Sequence, residues 1–169
     1  MLHHLARFRV TIGFVAGIAA WWLSRPTLRS LIAGALVAAV GEGIRIWAAG
    51  HLEKGREVTT SGPYAFTRHP LYVGSTIIGL GFAVASASVV VAVVVFAYLA
   101  VTLTAAIATE EAHLTEKFGA LYPDYREGRV VVEPRRFSLA RAMRNREYRA
   151  AGGLLLAIAV LAWKLGSRL

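Results

Sequence analysis

Two pairs of ionisable residues, Arg68-His69 and Glu110-Glu111, bracket 38 residues from Leu71 to Ala108 in which no side chain carries a charge. One helix of that length would measure about 57 Å at ~1.5 Å per residue, against a bilayer core of about 30 Å. Two antiparallel helices joined by a tight turn at Ser86-Ala87-Ser88 fit instead, and a hairpin returns its ends to one membrane face. His69 and Glu110 then become neighbours although 41 positions separate them. Tyr64 and Tyr72 flank the first pair and are expected at the same depth. Paired carboxylates attract a cation. Pro70 suits the first position of a helix, so His69 stands just ahead of a helix start, where free N–H groups favour an anion. The combination suits a ligand of mixed charge.

The elements that must position these groups follow from composition. Hydrophobic residues make up 56% of the 169 and charged ones 17%, which places the chain among integral membrane proteins of one compact domain. Apolar runs predict five transmembrane helices, at about 8–23, 30–50, 70–86, 88–109 and 150–165. The expected fold is an all-α membrane protein whose cofactor site faces the cytosol and is built by the helical hairpin and its flanking loops, segments 52–74 and 106–134. The fourth helix should run past the membrane surface to Gly119, because Glu110, Glu111, Leu114 and Phe118 keep helical spacing. With five spans, 14 of the 19 Lys and Arg fall on one side and 4 on the other, and the richer side is expected to be cytoplasmic. The net charge of +9 therefore speaks of topology, and no nucleic-acid partner is expected.

Other features are weaker. Leu23-Ser24-Arg25-Pro26 lacks a small-residue cleavage pattern, so no signal peptide is expected. The absence of cysteine excludes disulfides, thiolate metal sites and a cysteine nucleophile. No metal site is expected, since the only close histidines are His3 and His4. Gly13, Gly17, Gly79 and Gly81 are expected to allow close helix packing. Glu42 and Arg45, three apart on one helical face, can pair with each other, and as intramembrane charges they could line an acceptor pocket. Phe137 to Tyr148 reads as a basic interfacial helix lying on anionic lipid.

The stretch Ser61-Gly62-Pro63-Tyr64-Ala65-Phe66-Thr67-Arg68-His69-Pro70-Leu71-Tyr72-Val73-Gly74 resembles the signature of the isoprenylcysteine carboxyl methyltransferase family. So does Glu110-Glu111-Ala112-His113-Leu114 followed by Phe118-Gly119, Tyr122 and Tyr125. The wider group includes phospholipid N-methyltransferases. The resemblance covers about Leu52 to Pro134 and implies a small membrane enzyme using S-adenosylmethionine (SAM). It implies cofactor contacts at Val58, Thr59, Tyr64, His69, Pro70, Leu71, Tyr72 and Glu110, with Glu110, Arg68 and His69 as the catalytic set. Enzymes acting on prenylated cysteine carry a substrate-binding arginine one turn before the glutamate, and Ala106 stands there in this chain. Arg45, Glu42, Glu111 and Arg129 are the remaining residues expected to meet the acceptor. That acceptor is expected to be lipid-like and to enter from the bilayer, with carboxyl methylation of an isoprenoid-type substrate ranked above methylation of a phospholipid amine. An ionised carboxylate needs no general base; an amine does, and Glu111 or His69 could serve. The setting implied is the inner membrane of a prokaryote with the site facing the cytoplasm. A non-catalytic membrane adaptor is the reading from another class.

Overall fold

The computed structural model describes residues 15–132 and 134–167. Every regular element among them is helical: α1 (15–23), α2 (Leu28–His51), a short 3-10 turn (Gly62–Ala65), α3 (Pro70–Ser86), α4 (Val89–Phe118), α5 (Leu121–Arg126), α6 (Leu139–Arg144) and α7 (Tyr148–Gly166). Of these, α2, α4 and α7 are long and apolar enough to cross a membrane, and α3 is a shorter apolar helix of 17 residues. The first expected span, 8–23, is helical over 15–23, and its earlier part lies outside the described residues.

Local chemistry explains the boundaries. Thr27 and Ser30 form a reciprocal capping box at the start of α2, with bonds of 3.0 and 3.1 Å. Pro70 opens α3 with His69 as its N-cap. The turn between α3 and α4 falls at Ala87, whose φ of 48° is left-handed, and Ser88 then caps α4 by accepting from Val91 N. Gly119, at φ 56°, stops α4. At 30 residues this helix is about 45 Å long, so its last turns outrun a bilayer core of about 30 Å.

The centre of the bundle is the antiparallel pair α2 and α3. A Cβ on Gly41 would stand 2.7 Å from the Gly74 carbonyl, and one on Gly81 would stand 2.5 Å from Ala38 N. Gly34 meets Gly81 and Ala85 in the same way. Such contacts let backbones touch, which is what holds helices together where lipid is as apolar as the side chains. The expected close packing holds for Gly81 and for Gly79, which seats Leu99 and Val95 of α4. Gly17 meets nothing within 4 Å, and Gly13 lies outside the described residues. The rest of α4 is open, with Val91 its one buried residue.

Helix α7 closes the other side. Leu161 packs with Leu31 and Ala85. Lys164 is buried, and its ammonium donates to the Trp21 and Trp22 carbonyls and to Ser24 Oγ, over the Trp21 ring. It thus caps the open end of α1.

The basic segment differs from expectation. Its helix is only Leu139–Arg144, and its polar groups turn onto the end of α2. Arg141 Nη1 donates to Gly50 O at 2.6 Å, Asn145 Nδ2 to Ala49 O and Leu52 O, and Arg135 Nη1 to His51 O. Arg141 also holds Glu53 at 2.7 Å. The last turn of a helix leaves carbonyls without intrahelical donors, and here Arg135, Arg141 and Asn145 supply them.

Candidate functional site

The cluster is assembled from the 3-10 turn, the start of α3, the end of α4 and α5. His69 Nε2 donates to Glu111 Oε1 at 3.0 Å, and Arg68 Nη1 lies 3.3 Å from the same oxygen. The hairpin therefore does join its two ends, but Arg68 and His69 meet Glu111 where the sequence pointed to Glu110. The reason is helical geometry, since consecutive side chains on α4 diverge by about 100°. Glu111 faces the start of α3 and the buried Tyr122. Glu110 instead stands beside the phenols of Tyr72 and Tyr64 and makes no ion pair among the described residues.

The aromatic wall is braced from several sides. Tyr72 stacks on His69 with ring centroids 5.6 Å apart. Tyr125 donates from its hydroxyl to the Tyr64 carbonyl at 2.6 Å, which ties α5 to the 3-10 turn. Burial pushes the Tyr64 phenol well above its ordinary range, and burial with the nearby Glu111 carboxylate lifts Tyr122 to about 12. Burial raises Tyr125 as well. All three therefore stay protonated at neutral pH. Thr59 is buried and its hydroxyl accepts from Glu53 N at 3.3 Å; Val58 lies beside it, half-buried. Pro70 is buried, and Leu71, as the second residue of α3, has no intrahelical acceptor for its N–H.

Behind this wall lies a second cluster. Arg45 is 3.8 Å from Glu42, the partner expected from the sequence, but only 2.6 Å from Glu147, just before α7. Its Nη1 donates to Ser75 Oγ and to the Leu71 carbonyl. Both oxygens of Glu42 are buried without a hydrogen-bond partner. Arg129, expected beside the acceptor, is instead on the surface, held by Asp124 at 2.5 Å and by Glu127. It serves the turn that follows α5, because both acids lie within five residues of it. Glu147 and Ser75 were not visible as site residues. Glu147 is the one acid among the six arginines between positions 135 and 149, a signal that reads as a surface charge until α7 is docked. A cavity of about 500 Å³ lies apart from these residues, between Trp47, His51, Ser61, Gly62 and the 132–136 segment.

Comparison with known proteins adds identity to this geometry. The model of the phospholipid methyltransferase family matches residues 30–120, a stretch holding Arg45, the Tyr64 to Tyr72 motif and both glutamates. The chain is 30% identical over 131 residues to the nickel-cobalt-cadmium resistance protein NccN of Alcaligenes xylosoxydans xylosoxydans, covering 75% of this chain and 60% of that one. It is 32% identical over 126 residues to the cobalt-zinc-cadmium resistance protein CzcN of Cupriavidus metallidurans, covering 69% and 57%. The chain thus spans about three-fifths of the length of these curated relatives. No solved structure matches. With more than half of its residues inside the family match, this helical membrane protein belongs to the phospholipid methyltransferase family.

Proposed function

We propose that the protein transfers a methyl group from SAM to a lipid-like acceptor that reaches the site from the bilayer. The observation that carries this is the division of labour on α4: Glu111 takes up the Arg68 guanidinium and the His69 ring N–H, which leaves Glu110 with no ion pair among the described residues, beside the phenols of Tyr64 and Tyr72. SAM bears a sulfonium, an ammonium and a carboxylate, and the donor set fits all three. Glu110 suits the cationic groups, Tyr64 and Tyr72 can donate or accept, and the Leu71 N–H at the start of α3 suits a carboxylate. When bound, SAM supplies an electrophilic methyl group. The protein's own work is to hold the acceptor in line, keep water out and fix the site's charges. Arg68, His69 and Glu111 do this by locking the start of α3 to α4, and Val58 and Thr59 border the same loop.

For the acceptor, the structure's use of its arginines favours an amine over a carboxylate. A carboxylate needs a cation beside it. Ala106 supplies none, Arg129 is engaged at the surface, and Arg45 is engaged by Glu147. This reverses the order expected from the sequence. An amine gives up a proton on methylation, and Glu110 is the carboxylate at the site that no cation already holds. The relatives' names speak of metal resistance, but among the described residues no group of three His, Asp or Glu side chains could hold a metal ion. The reading therefore rests on the methyltransferase motifs.

The topology that goes with it is five spans, with this site facing the cytoplasm of a prokaryotic inner membrane where SAM is available; the lysine and arginine asymmetry supports it. Incubating host membranes with methyl-labelled SAM and the purified protein tests the whole reading. Base-stable label in the phospholipid fraction is the expected result. Volatile methanol released by mild base would restore the carboxyl reading, and no transfer together with no saturable SAM binding would leave the non-catalytic adaptor.

A further inference from the structure

We propose that Arg45 and Glu147 form an interhelical clamp that sets where Tyr72 and Tyr64 stand, so that both are positioning residues for methyl transfer. The proposal rests on the reading above, and nothing in the family match covers Glu147, which lies beyond residue 120. Arg45 ties its own helix, α2, to two other elements at once. Its Nε meets Glu147 at 2.6 Å just ahead of α7, and its Nη1 meets Ser75 and the Leu71 carbonyl on the first turn of α3. Leu71 adjoins Tyr72, whose phenol lies within the field of Arg45, while Tyr64 lies within that of Glu147. Pulling on the pair therefore moves the aromatic wall that faces Glu110.

Glu147 is buried and Arg45 partly so, with side-chain exposures of 8% and 19%. A buried ion pair adds little net stability, but removing one partner strands the other, so its use is to fix geometry. The planar fork of arginine bonds two directions at once, which a lysine cannot reproduce. The room for it is built in: a Cβ on Gly74 would stand 2.5 Å from Arg45 Cγ. Glu42 supplies the alternative state. It lies 3.8 Å from Arg45 on the same helix and its oxygens have no hydrogen-bond partner. Without Glu147, Arg45 has a carboxylate to turn to that ties it to nothing but α2.

The cysteine-free chain allows a direct test by spin labels at Val73→Cys, near the start of α3, and Arg149→Cys, near the start of α7. Their distance distribution is read by double electron–electron resonance in the parent, in Glu147→Gln and in Glu147→Asp. Methyl transfer from labelled SAM and SAM binding are measured on the same proteins. The expected result is a narrow distribution in the parent and in Glu147→Asp, and a broad one in Glu147→Gln. In that last variant kcat should fall about tenfold to a hundredfold, the cost of displacing reacting groups by about 1 Å, with a smaller loss of SAM affinity, while helix content holds. Ser75→Ala, which removes one bond of the clamp and no charge, should fall between. An unchanged distribution in Glu147→Gln overturns the clamp. A broadened distribution with unchanged kcat overturns its link to the site. If the parent binds no SAM, the distances still test the clamp, and the failure belongs to the proposed function.

Discussion

Glu110 and Glu111 are chemically identical and adjacent, yet the structure gives them different neighbours. Glu111 is held by a histidine and an arginine, so its neutral analogue should loosen the join between α3 and α4. Glu110 has no such duty. Glu110→Gln is expected to weaken SAM binding at least about tenfold, or about 1.4 kcal/mol, with thermal stability close to the parent's. Glu111→Gln is expected to lower the melting temperature as well as binding. Calorimetric titration and thermal unfolding of the two variants side by side distinguish these outcomes. The sequence shows that both carboxylates return to the His69 end of the hairpin. It does not show which faces Arg68 and His69, because a one-residue step on a helix turns the side chain by about 100° and only the packing angle of α4 on α3 decides the rest. Glu147 was illegible for a stronger reason, since its partner is 102 residues away and no local pattern links them.

At the level of elements, the turns and helix ends were legible because their signals are local. Thr27, Pro70, Ser88 and Gly119 each act on the few backbone groups next to them. Ala87 is the exception that invites a test. It occupies a left-handed turn with φ 48°, where a Cβ costs about 1–2 kcal/mol. Ala87→Gly should therefore raise stability by about 1 kcal/mol, less the entropy glycine regains on unfolding, as read by denaturant titration in detergent. The α2–α3 contact is the opposite case. A Cβ on Gly81 would enter the backbone of Ala38, so Gly81→Leu should separate the pair, lowering the melting temperature and activity together. Gly34 and Gly41, and Gly74 and Gly81, are each seven residues apart, two turns of helix. That spacing stands in the sequence, but glycine alone does not say which helix its partner is on. The six-residue length of α6 was illegible because its arginines bond to α2, which the local run of basic residues cannot reveal.

Across the whole molecule, charge decides both orientation and its dependence on pH. A cysteine placed at Phe66, which is exposed on the loop before α3, should react with a membrane-impermeant reagent only from the cytoplasmic side; labelling from outside alone would reject the five-span orientation. The α6 clasp should be sensitive to acid. The hydrogen bond from Arg141 holds the Glu53 carboxyl below its ordinary value. A carboxyl depressed in the folded state adds stability above its unfolded pKa, near 4.3 for glutamate, and loses it as the pH falls through the lower folded value. Thermal unfolding followed from neutral to acidic pH should show that loss, and Glu53→Gln should show a smaller one.

The buried lysine at the far end of the bundle bears on how the protein is made. Lys164 caps α1 from more than 140 positions away, and Glu147, on the same closing segment, completes Arg45. Both unsatisfied ends therefore wait in the membrane while the intervening helices are inserted. Until α7 arrives, α1 has open carbonyls and α2 carries a guanidinium without its carboxylate partner Glu147, each costly in hydrocarbon. Entry of the closing segment should thus act as a late checkpoint in biogenesis, and chains halted before Glu147 should remain in the custody of the insertion machinery or be degraded. Pulse–chase of chains stopped just before Glu147 and just after α7 would reveal it as an abrupt gain in lifetime, not a gradual one.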